Sequence, residues 1–67
     1  MNNAAANRFE ETVPAYDRLG VRAQILVDRQ LTAARCARAA ELAQYMLDAR
    51  NGALVAEALD DRAAELE

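Results

Sequence analysis

The sequence has no histidine, no tryptophan and no lysine, and its 67 residues include one cysteine, one proline and two glycines. Each scarcity removes a class of answers. With Cys36 alone, no disulfide can close within the chain, and without histidine a Cys/His metal site has no ligand set. There is no Gly-rich phosphate loop, no nucleophile elbow and no metal-ligand spacing, so neither catalysis nor a cofactor is expected. No apolar run approaches the ~20 residues of a membrane span, and the N-terminus lacks a basic-then-apolar signal. A cytoplasmic location without membrane contact is the expectation. Runs of Gly, Pro and Ser are also missing, which argues against a disordered chain.

Alanine fills much of the space these absences leave. The chain is 54% apolar, but seventeen of those residues are Ala and three are aromatic: Phe9, Tyr16 and Tyr45. Ala favours helix and close helix contact while burying little area. A single small domain of this kind rarely supplies more than ~3–5 kcal/mol from its core. With disulfide and metal excluded, self-association is the remaining common staple. All eight basic residues are Arg, which with the Ala content suggests a GC-rich bacterial genome, or a phage or plasmid living in one.

The longest organised stretch runs from Val21 to Arg50, free of Pro and Gly and dense in strong helix formers. Around it, residues 1–12 read as a frayed start. Thr12, Val13 and Pro14 read as a helix start, with Glu10 and Glu11 near its positive end; a short helix from Asn7 kinked at Pro14 is the competing reading. Gly20 either ends a short helix or lies inside one continuous helix of about 14–50. Continuity is the expectation, because the same wheel places Val13 and Tyr16 on the side of Val27, Leu31, Leu42 and Tyr45. Asn51-Gly52 is the expected turn, and 53–66 the expected short helix, with an apolar stripe of Val55, Ala56, Leu59, Ala63 and Leu66. A bent continuation through Asn51-Gly52 is the alternative there.

The fold class expected is therefore all-α: one domain, 13–67, in which a long and a short helix form an antiparallel hairpin. Its core would be Cys36, Ala40, Ala43, Leu47, Val55, Leu59 and Leu66, with Cys36 acting as a small hydrophobe. A short helix of this length covers roughly residues 36–50 of the long one and leaves 14–35 as an overhang of about 30 Å. That overhang exposes apolar groups, which usually marks an interface. Two-fold pairing through Val27, Leu31, Leu42 and Tyr45 would complete a four-helix bundle.

Charge is unevenly spread. Residues 18–40 hold five Arg against Asp28, a balance of +4, while residues 41–67 hold two Arg against seven acids, a balance of −5. The plain reading is that the acidic short helix neutralises the basic middle of the long one. The sharper reading is that Arg18, Arg22, Arg29, Arg35 and Arg38, with Phe9 and Tyr16, form a partner-binding face. Nucleic acid is a weaker candidate for that partner, because the net charge is −3 and basic and aromatic residues are not interleaved. Glu10-Glu11 and Asp60-Asp61 are adjacent in sequence and diverge by about 100° on a helix, so they form no catalytic pair.

These features lead to a small homodimeric helical protein-binding module as the expected function. It would modulate or inhibit a larger bacterial protein, such as a transcription regulator, as a phage or plasmid product could. The alternatives are an RNA- or DNA-binding helical dimer and a small structural subunit or chaperone of a larger assembly.

Overall fold

The stretch from Val21 to Arg50 does not form one helix. The computed structural model describes residues 12–67, and within them every regular element is helical. A 3-10 turn, Ala15–Arg18, is followed by α1 (Val21–Arg29), α2 (Ala33–Met46) and α3 (Ala49–Leu66). The expected helix of about 14–50 is thus cut three times. The frayed start, save for Thr12, and Glu10, Glu11 and the aromatic anchor Phe9 lie outside the described residues. The helix start expected at Thr12, Val13 and Pro14 opens only the 3-10 turn, and Pro14 rather than Thr12 or Val13 is its N-cap.

The first cut falls at Leu19 and Gly20, both extended, with Gly20 at φ −69° and ψ 165° as the N-cap of α1. The short-helix alternative at Gly20 is the one adopted, and Pro14 caps the preceding turn. The second cut falls at Gln30–Thr32. There the Thr32 hydroxyl accepts the Arg35 backbone N–H at 3.1 Å, satisfying a donor that α2 would otherwise leave unpaired. The third falls at Leu47 and Asp48, both extended. Asp48 accepts the Asn51 backbone N–H on Oδ1 and the Asn51 side-chain amide on Oδ2, each at 2.8 Å.

That last cap explains why Asn51-Gly52 is not the turn. Asp48 starts α3 at Ala49, so Asn51 and Gly52 lie inside its first two turns, and no described residue has positive φ. The short helix runs 49–66 rather than 53–66. Gly52 matters for space instead: a Cβ there would lie 3.0 Å from the Ala43 carbonyl oxygen and 3.2 Å from the Gln44 Cα. The missing side chain is what lets the backbones of α2 and α3 approach.

α3 is the central element, packed along α2 and, on an adjoining side, against the 3-10 turn and α1. On α2 the buried positions Cys36, Ala40 and Ala43 follow a helical spacing, and on α3 Gly52, Val55, Ala56 and Leu59 do the same. Ala15 from the turn and Val27 from α1 complete the core. The overhang expected for 14–35 does not exist, because the breaks at Gly20 and Gln30 let this segment fold back onto α3. The core remains poor in large groups, with Leu59, Val27 and Cys36 its largest fully buried side chains. Burying a Val or Leu completely stabilises by about 1.5–3 kcal/mol, so a core with three such residues, Val27, Val55 and Leu59, and five alanines is modest.

Candidate interaction groove

α1 and α2 both lean on α3 but leave an open space between themselves. Leu26 from α1, with Ala39, Leu42, Ala43 and Met46 from α2 and Leu47 beyond it, lines a groove of about 310 Å³ whose side chains are all apolar. The two alanines form a low floor between larger walls. The groove continues into a stretch of about 280 Å³ lined by Leu26, Gln30, Arg35, Arg38, Ala39 and Leu42, so two guanidinium groups stand at one end of it. Arg38 pairs with Glu41 on the same helix at 3.6 Å, with both side chains about three-quarters exposed.

The apolar groups here are not covered by the described chain. Leu42 is 44% exposed, Tyr45 90% and Met46 76%, and their spacing places them on one ridge of α2. Leu31, in the link before α2, is 70% exposed. Of the four residues expected on a dimer face, Leu31, Leu42 and Tyr45 are therefore open to solvent. Val27 is not: at 1% exposure it is a core residue. The continuous wheel put it beside Leu31, but the break at Gln30–Thr32 resets the helical phase between them.

The residues expected in the hairpin core divide similarly. Cys36, Ala40, Ala43, Val55 and Leu59 are buried. Leu47 is 45% exposed because the chain leaves α2 there, and it becomes a groove wall; Leu66, on the last turn of α3, is 38% exposed. Among the expected partner-binding residues, Arg18, Arg22, Arg29, Arg35 and Arg38 are exposed. The break at Leu19–Gly20 separates Arg18 from Arg22 and Arg29, which remain seven residues apart on α1.

Tyr16 is half-buried and committed within the chain, its hydroxyl donating to Asp28 at 3.0 Å and its carbonyl accepting from the Gln24 side chain at 2.9 Å. The hydrogen bond to the Asp28 carboxylate raises the Tyr16 pKa above its ordinary value; desolvation and the charges of Asp28 and Asp17 push the same way, against Arg62. A second cavity, of about 350 Å³, lies at this joint of turn, α1 and α3, with Tyr16, Asp28, Asp61 and Arg62 among its lining residues.

Arg62, which the sequence did not single out, positions one side of the groove. Its guanidinium donates from Nε to the Gln30 carbonyl at 2.7 Å and from Nη2 to the Asp28 carbonyl at 3.2 Å. It thereby anchors the end of α1, which forms one wall of the groove. The available signal was slight: Arg62 is the lone cation among Glu57, Asp60, Asp61, Glu65 and Glu67.

Among the described residues no group of three or more His, Cys, Asp or Glu is placed to hold a metal ion, and no helix is long and apolar enough to cross a membrane. No known family model, curated protein or solved structure matches this chain.

Proposed function

We propose that the chain is a small helical protein-binding module that works as a homodimer and modulates a larger bacterial protein. In this reading α2 and α3 form an antiparallel helical hairpin, and pairing of two hairpins makes a four-helix bundle. The observation that carries it is the groove between α1 and α2, apolar along its length, edged by Arg35 and Arg38, and bordered by Tyr45 and Met46 at 90% and 76% exposure. Contiguous apolar surface of this kind is characteristic of protein contact sites, and Tyr, Met and Arg are the residue types enriched in them.

Light scattering coupled to size exclusion, with circular dichroism on the same dilution series, tests the homodimer. A species of about 15 kDa, twice the 7.3 kDa chain, that loses helicity on dilution is expected, since folding and pairing would then be linked. A fully helical monomer at every concentration would overturn it. A mobility-shift assay with duplex DNA and with RNA at low salt should be flat; binding that falls steeply with added salt would favour the nucleic acid alternative instead.

A further inference from the structure

We propose that the occupant of the groove is α2 of a second copy, laid antiparallel and centred on Leu42, an inference that rests on the homodimeric reading above. A two-fold contact must be self-complementary, so one patch has to supply both the projection and the recess it fills. The face of α2 does so. Ala39 and Ala43 form the low floor, and Tyr45 and Met46 are the projections beside it. Antiparallel alignment about Leu42 sets residue 39 opposite residue 45 and residue 38 opposite residue 46. Tyr45 of the partner subunit then falls on Ala39, and Met46 of the partner subunit falls along the aliphatic stem of Arg38. At Tyr45 on Ala39 large meets small, as interdigitating helix faces require.

Charge selects the direction. Parallel pairing would stack Arg35 on Arg35 and Arg38 on Arg38 at one end of the interface. Antiparallel pairing carries both to the C-terminal end of the other α2, where the unpaired carbonyls are partially negative and Asp48 stands just beyond. It also leaves Arg22, Arg29, Val21 and Ile25 of α1 outside the pairing, with Val21 at 72% and Ile25 at 45% exposure. These remain available to a third molecule.

Disulfide trapping reads the alignment directly. Leu42 is 44% exposed, so Leu42→Cys is tolerated by the fold, and native Cys36, at 0% exposure, does not compete; the unaltered chain is the control. Under mild oxidation Leu42→Cys is expected to give a covalent dimer. Arg35→Cys is expected to give none, because antiparallel alignment holds the two copies of residue 35 about 20 Å apart, far beyond disulfide reach. Linking at both positions would mean parallel pairing and overturn the proposal. Linking at neither, with light scattering still reporting a dimer, would overturn this occupant of the groove and leave the homodimer standing. A monomer at all concentrations would overturn both.

Discussion

The Nε of Arg62 on α3 donates to the carbonyl oxygen of Gln30 at 2.7 Å, across 32 residues of sequence. With Nη2 on the Asp28 carbonyl at 3.2 Å, one guanidinium occupies two of the acceptors that the end of α1 leaves without intrahelical donors. The contact also places a positive charge at the negative end of the helix dipole. α1 is a nine-residue helix, too short to be stable alone in water, so its position beside α2, and with it one wall of the groove, depends on such tertiary anchors.

Arg62→Gln should therefore loosen α1 more than the rest of the molecule. Hydrogen bonds to a charged group contribute about 1.5–3 kcal/mol, and the half-buried position puts the expected loss near the lower end of that range. Hydrogen exchange should show protection falling first at the amides of α1 while those of α2 and α3 fall less. Arg62→Lys should recover only part of the loss, because an ammonium cannot present the planar fork. Uniform loss of protection along the chain would show that Arg62 stabilises the fold as a whole rather than anchoring α1.

The two glycines should respond oppositely to substitution. Gly52→Ala gains up to ~1 kcal/mol in helix propensity, but its Cβ would meet backbone atoms of Ala43 and Gln44 at 3.0 and 3.2 Å. Backbone cannot rotate away, so α2 and α3 must separate, and a net destabilisation of about 1–3 kcal/mol is expected. At Gly20 nothing lies within 4 Å and φ is −69°. Gly20→Asp supplies the missing side-chain cap of α1 and should stabilise by about 0.3–1 kcal/mol. Urea denaturation of both variants decides it; equal shifts of the same sign would contradict the packing role assigned to Gly52.

Helical content was legible in the sequence, and the helix limits were not. The Val21–Arg50 stretch contains neither Pro nor Gly, so composition offers no reason to break it. Thr32 and Asp48 break it by capping, and a lone Thr or Asp inside a helical pattern is ambiguous until the backbone around it is known. Asn51-Gly52 misled for a related reason: its preference for turns is outweighed once Asp48 satisfies the Asn51 N–H. Part of the groove was visible through Leu42, which, like Tyr45 outside its lining, stays exposed however the helix is divided. Its other wall, Leu26, could be found only after the break at Gln30 swung α1 back, and that same break moved Val27 from surface to core.

Acid should weaken the start of α3 in a specific way. The backbone N–H of Asn51 holds the Asp48 carboxyl below its ordinary range; partial desolvation opposes this, and the Asn51 side chain with the N–H and charge of Arg50 assists it. A carboxyl with a lowered folded-state pKa stabilises fully above its unfolded value of about 3.9, and that contribution is lost as pH falls through the folded value. Asp48→Ala should thus have a lower Tm than the native chain at neutral pH, with the gap narrowing toward pH ~2. A gap independent of pH would mean that the cap does not depend on ionisation.

Cys36 offers a direct reading of how firmly α2 and α3 are held together. Its side chain is at 0% exposure in the core, so a thiol reagent can reach it only when the helices part. If parting α2 from α3 costs about the ~3–5 kcal/mol typical of so small a core, labelling should be slowed by roughly 10²–10⁴-fold relative to the denatured chain. Gly52→Ala should speed labelling by the factor its loss of stability predicts. Arg62→Gln, which frees α1 without separating α2 from α3, should speed it by less than its own loss would require. Labelling that tracked the Arg62→Gln loss in full would show that α1 and the α2–α3 pair unfold as one unit.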